Sequence, residues 1–114
     1  MRPTDPRPMT PEITITEFVA LRETKKPYQL IDLREPYEAE RCTLGGTLIP
    51  MGEVLERRSE IRRDVPVVMH CKSGNRAGAV VQALTARYGF INVMNLKGGM
   101  EAWKVEVDRT IDCD

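Results

Sequence analysis

Two kinds of apolar pattern alternate along this chain. The runs Tyr28-Gln29-Leu30-Ile31-Asp32-Leu33, Thr47-Leu48-Ile49-Pro50, Val65-Pro66-Val67-Val68-Met69-His70 and Ile91-Asn92-Val93-Met94-Asn95-Leu96 are short and bounded by charged or turn residues, as buried strands are. Helical spacing fills the intervals. Thr14 and Glu17 have the spacing of a capping box, with Ile13 and Phe18 as its hydrophobic staple. This predicts a helix from about residue 15 to 24, ended by Lys25-Lys26-Pro27. Pro36 suits the first turn of a short helix, and Gly45-Gly46 breaks that segment. Residues 51–63 read as a charged amphipathic helix, with Val54, Leu55 and Ile61 inward and Glu53 and Arg57 as an i,i+4 pair. Positions 77, 80, 81, 84 and 88 share one helical face, and Gly89 supplies the C-terminal cap. A Gly98-Gly99 turn then leads into a last short helix, from Met100 to about Val107. Strands separated by helices predict an α/β fold, a mainly parallel sheet with helices on both faces.

The expected organisation is a Pro-rich flexible arm over residues 1–11, one domain over 12–107 and a short polar tail over 108–114. Lysine plus arginine and aspartate plus glutamate are equal at 17 each, with one histidine. Bulk charge therefore gives no argument for nucleic acid or an anionic membrane surface as a partner. No apolar run approaches the roughly 20 residues that span a bilayer, and the N-terminal residues lack the apolar core of a signal peptide. A cytoplasmic location is the expectation. Three dispersed cysteines make neither a disulfide scaffold nor, with one histidine, a metal site. No cofactor is expected, since no nucleotide-type glycine fingerprint is present.

The chemistry concentrates at Cys71-Lys72-Ser73-Gly74-Asn75-Arg76, followed by Ala77. Cys71 falls where a predicted strand ends and its loop feeds a helix N-terminus, where free amide N–H groups and the positive end of the helix dipole converge. Such a place favours a thiolate, the nucleophilic form. Successive N–H groups from Lys72 to Arg76 can curl into an anion-binding nest, which Gly74 eases and to which Lys72 and Arg76 add charge. Asp32, at another predicted strand end, is expected to accept hydrogen bonds from the loop or to pair with an arginine. Arg34 is either solvated or faces the substrate. His70 precedes Cys71 on a strand, so its side chain points to the opposite face, and it is expected as a core residue rather than as a base for Cys71. Trp103 reads as packing. The arginines at 57, 58, 62 and 63 read as a solvated face, with a docking surface for an acidic protein as the alternative. Cys113 is placed in the flexible tail.

Four ordered segments, spanning about residues 13–105, resemble single-domain rhodaneses, sulfurtransferases with a persulfide-forming cysteine. They are Leu30-Ile31-Asp32-Leu33-Arg34-Glu35-Pro36-Tyr37-Glu38, Gly45-Gly46-Thr47-Leu48-Ile49-Pro50, the loop from Cys71 to Arg76, and Leu96-Lys97-Gly98-Gly99-Met100-Glu101-Ala102-Trp103. The loop is also similar to that of rhodanese domains attached to ubiquitin-like-protein activating enzymes. The resemblance implies a rhodanese-like α/β fold with a five-stranded sheet. It also implies sulfane-sulfur transfer through a Cys71 persulfide, with Lys72, Ser73, Gly74, Asn75, Arg76 and Ala77 as the substrate loop and Asp32 and Arg34 in support. Implied partners are a small sulfur donor and acceptor, with a ubiquitin-like sulfur carrier or a cysteine desulfurase as protein partners. One departure stands out: Cys42 occupies a position where many members have histidine. Two other classes stay open. Rhodanese-fold phosphatases and arsenate reductases use Cys-x5-Arg, whereas the sixth residue after Cys71 is Ala77. Non-enzymatic rhodanese-like binding modules typically lack the cysteine.

Overall fold

The computed structural model describes residues 10–111 and Cys113. The arm expected over residues 1–11 lies outside the described residues up to position 9. The elements run β1 (Glu12–Ile13), α1 (Ile15–Glu23), β2 (Gln29–Asp32), α2 (Pro36–Arg41), β3 (Thr47–Leu48), β4 (Val67–His70), α3 (Asn75–Tyr88), β5 (Val93–Leu96) and α4 (Gly99–Glu106). The sheet order is β1-β5-β4-β2-β3, and every pairing is parallel. The predicted architecture is therefore the observed one.

Local chemistry explains most boundaries. The Thr14 hydroxyl accepts from Glu17 N–H at 3.1 Å, and the Glu17 carboxylate accepts from Thr14 N–H at 2.9 Å, so the capping box starts α1. Gly89, at φ +71°, closes α3. Strand β1 is the element the apolar pattern misses. Its two residues pair with Asn95 and Leu96 of β5, and lying between Pro11 and the Thr14 cap they form no apolar run to read.

Residues 51–63 depart from the expected helix. Only two 3-10 turns form, Met51–Glu53 and Arg58–Glu60. Val54 and Ile61 are buried as expected, and the Glu53–Arg57 pair forms at 3.1 Å. The reason is tertiary: the Gln29 side chain donates to Glu60 O and accepts from Arg62 N–H, taking backbone groups a continuous helix would pair internally. The arginine face is locally satisfied. Arg57 pairs with Glu53 and Glu60, Arg62 pairs with Asp64, and Arg58 and Arg63 lie over the rings of Tyr88 and Phe90.

The sheet divides the core in two. Alternate residues of β2 and β4 point to opposite faces. Ile31, Leu33, Val67 and Met69 pack with Val80, Val81 and Leu84 of α3. Leu30 and Val68 pack on the other face with Phe18, Met100 and Trp103. Trp103 is thus the packing residue expected, edge-on to Phe18 at 6.1 Å. Strands β4 and β2 are central, so their carboxyl ends open between neighbouring loops, where open α/β sheets place their sites.

Candidate active site

Cys71 follows the last residue of β4 and is the free cysteine among the described residues. Only 1% of it is exposed, and it borders the apolar core on the α3 face of the sheet, yet its sulfur also accepts from backbone amides. Gly74 N–H donates to Sγ at 3.1 Å and Ala77 N–H at 3.4 Å. The chain turns from strand into cradle at Gly74, whose φ of +103° is a conformation that substituted residues resist. The cradle opens directly into the 14-residue helix α3, whose N-terminal dipole favours negative charge.

A second layer fixes this loop from behind. Gly74 O accepts from the Asn95 side-chain amide at 3.1 Å. The carbonyls of Cys71 and Lys72 accept from the N–H groups of Met100 and Glu101, each at 2.9 Å. That approach requires Gly99. It has φ +57°, and a Cβ there would collide with the carbonyl oxygens of Cys71 and Lys72. Gly99→Ala should therefore push the loop off its seat, with a backbone cost of about 1–3 kcal/mol and an altered rate of Cys71 alkylation. Thermal unfolding and iodoacetamide labelling of the purified variant measure the two effects. An unaltered melting temperature and an unaltered labelling rate would contradict the assigned contact.

The expected loop residues come together unequally. Lys72 and Asn75 are exposed, and Ser73 is half-buried. Arg76 forms a two-pronged ion pair with Glu38 of α2, at 2.7 and 2.9 Å. Hydrogen bonding from Arg76 outweighs partial burial and draws the Glu38 carboxyl down to about 2, while Arg76 is shifted upward in return. Glu38 was not among the expected site residues. Its partner lies 38 positions away, and no local spacing announces such a pair.

Asp32 and Arg34 form a buried unit under the rim. Asp32 accepts from Arg34 N–H at 3.0 Å, from Nε at 2.9 Å and from Nη2 at 2.8 Å. Burial works to raise the Asp32 pKa, but the Arg34 hydrogen bonds and charge, aided by His70, leave it below the ordinary carboxylate value. Asp32 thus takes the arginine pairing of its two expected roles. Arg34 is 3% exposed, so it is not a solvated charge; it also donates to Cys42 O at 2.7 Å and approaches Cys42 Sγ at 3.4 Å. His70 is fully buried opposite Asp32 in the β2–β4 register. Neither of its ring nitrogens has a hydrogen-bond partner, and burial draws its pKa down to about 4.

The expectation of Cys113 in a flexible tail is corrected. Cys113 is disulfide-bonded to Cys42, with the Cα atoms 5.5 Å apart, and Ile111 packs on the core beside α4. Residues 71 apart in sequence give no sign of such pairing in a set of three dispersed cysteines. Among the described residues, no group of three or more His, Cys, Asp or Glu side chains is placed to hold a metal ion. No helix among them is long and apolar enough to cross a membrane.

The fold is a parallel α/β sheet with one thiol held by backbone amides at the end of its central strand. Residues 14–106 match the family described as Rhodanese-like domain, and the chain belongs to that family. It is 40% identical over 91 residues to the uncharacterized protein YqhL of Bacillus subtilis, covering 79% of this chain and 71% of that one. It is 33% identical over 94 residues to adenylyltransferase and sulfurtransferase MOCS3-1 of Drosophila pseudoobscura pseudoobscura, covering 75% of this chain and 21% of that protein. The thiosulfate sulfurtransferase structure from Pseudomonas aeruginosa superposes with a TM-score of 0.75 at 25% identity, over 84% of this chain and 19% of that one. The chain thus spans about a fifth of the length of each of those two sulfurtransferases. It is related to sulfurtransferases through this one domain.

Proposed function

We propose that the domain is a sulfurtransferase that carries a sulfane sulfur as a Cys71 persulfide. The observation that carries this reading is the pair of N–H donors, from Gly74 and Ala77, aimed at Cys71 Sγ. In the first half-reaction the Cys71 thiolate attacks the outer sulfur of thiosulfate. The S–S bond of the donor breaks, sulfite leaves with the bonding pair, and Cys71 becomes Cys–S–S⁻. In the second, a nucleophile such as cyanide attacks the terminal sulfur and the Cys71 thiolate departs. The cysteine is anionic before and after each step, so a fixed amide cradle serves both forms without rearrangement.

Loop size and Arg76 argue against a phosphatase. The cradle has the Cys-x4-Arg length, and its arginine is committed to Glu38 rather than turned toward an incoming phosphate. Arg76 then acts by positioning: through Glu38 it fastens the loop to α2. Lys72, exposed at the rim, is the cation placed to meet an anionic donor. Small sulfur donors and acceptors, a ubiquitin-like sulfur carrier or a cysteine desulfurase remain the partners this chemistry fits, in a cytoplasmic setting.

Intact-mass spectrometry tests the reading directly. Incubation with thiosulfate should add one sulfur atom, mapped to the Cys71 peptide, and cyanide should remove it. Folded wild-type protein that gains no sulfur from thiosulfate or from a small persulfide donor would refute it.

A further inference from the structure

We propose that Cys42 and Cys113 form a redox-operated latch that holds the C-terminal segment over a cationic cleft beside Cys71. Cys113 lines a narrow cleft together with Arg34, Glu38, Arg41, Lys72 and Met100. Three of its walls are tied to the site. Lys72 follows the nucleophile, Met100 N–H holds the Cys71 carbonyl, and Glu38 holds Arg76. With the disulfide closed the cleft holds about 20 Å³, room for roughly one water and not for an oxyanion of sulfur.

The two sulfurs differ in a way that suits exchange. Cys42 is buried, 6% exposed, whereas Cys113 is only half-buried, so an incoming thiolate reaches the Cys113 sulfur first. The leaving group is then the Cys42 thiolate, and it departs beside the Arg34 guanidinium, whose Nη1 lies 3.4 Å from Cys42 Sγ. A cation next to the leaving sulfur lowers its basicity and speeds exchange. A low-molecular-weight thiol is the reductant. Its thiolate attacks Cys113 Sγ, the Cys42–Cys113 bond breaks, and a mixed disulfide forms on Cys113. A second thiol then resolves the mixed disulfide. The products are two protein thiols and one small disulfide, and the reverse sequence, with that disulfide as oxidant, closes the latch. Where the surroundings are reducing, protein disulfides that do form are typically transient and redox-sensing. On reduction the Cys42–Cys113 tether is lost and the cleft lined by Lys72 and Arg34 opens beside the nucleophile.

The proposal rests on the sulfurtransferase reading in taking Cys71 as the reactive thiol, and its test separates the two. The latch is set oxidised or reduced in glutathione buffers whose reduced-to-oxidised ratio spans about a hundredfold. The small thiol is removed and the protein is pulsed with iodoacetate, an anionic probe. Peptide mass spectrometry then reads the Cys42–Cys113 bond and the rate of Cys71 carboxymethylation separately. The bond should open and close across that range under native conditions. Cys71 should react about fivefold faster with the latch open, and Cys113→Ser should react at the open rate in either buffer. A bond that never opens without denaturant, or equal Cys71 rates in both states, overturns the latch, whatever thiosulfate does. If the rates differ as expected but thiosulfate and persulfide donors leave no sulfur on Cys71, the latch stands and the sulfurtransferase reading falls.

Discussion

Replacing Cys71 with serine is expected to lower sulfur transfer from thiosulfate at least about a hundredfold. The serine oxygen can accept the same N–H groups of Gly74 and Ala77, so the cradle survives. What is lost is the nucleophile, because an alkoxide is not available near neutral pH whereas a thiolate is. The variant should fold, as judged by circular dichroism, and should gain no mass with thiosulfate. Cys113→Ser, assayed alongside in reducing buffer, should retain most of the activity. Substantial transfer by folded Cys71→Ser would move the nucleophile elsewhere and undo the proposed mechanism.

The second large effect concerns acid stability. His70 is buried with both nitrogens unpaired, and its pKa in the folded protein is drawn from 6.5 to about 4, chiefly by burial. Asp32 opposes this shift and Arg34 adds to it. A histidine with a depressed folded pKa leaves stability unaffected above its unfolded value. Below about 6.5 the unfolded chain takes up the proton and the folded protein does not, so stability falls as pH drops toward 4 and then levels off. The full swing is about 3 kcal/mol. Glu38 acts in a lower window: its contribution is complete above about 4.5 and is lost as pH falls toward 2. His70→Leu, similar in volume and without unpaired nitrogens, should therefore flatten the decline between pH 6.5 and 4 and leave the steeper loss below it. Urea midpoints of both proteins at a series of pH values give the comparison. Parallel curves would exclude His70 as the source.

What the sequence made legible was local, and what it hid was distant. The α1 capping box lies within four residues, the α3 face within three turns, and Cys71 at the junction of a strand run and a helix run. The site residues that were not visible all depend on chain segments meeting in space. Glu38 becomes part of the site only because α2 reaches the loop that carries Arg76. Arg34, read as solvated or substrate-facing, is buried because Asp32 and the Cys42 carbonyl absorb its donors. Residues 51–63 carry a helical apolar pattern, but the Gln29 amide, fixed on β2, outcompetes the helix for its backbone. The resemblance to rhodaneses supplied the fifth strand, which the apolar pattern could not.

The two strands at the margins of the sheet, β1 and β3, are each two residues long. Each exposes only a few unpaired backbone groups, and each places an exposed polar side chain, Glu12 or Thr47, at its rim. A second chain seeking to extend the sheet would find almost no ladder to continue. Recognition of any protein partner is thereby steered away from strand addition and toward the helical faces and the loop end of the domain. At the loop end, Lys72 is the exposed cation adjoining Cys71.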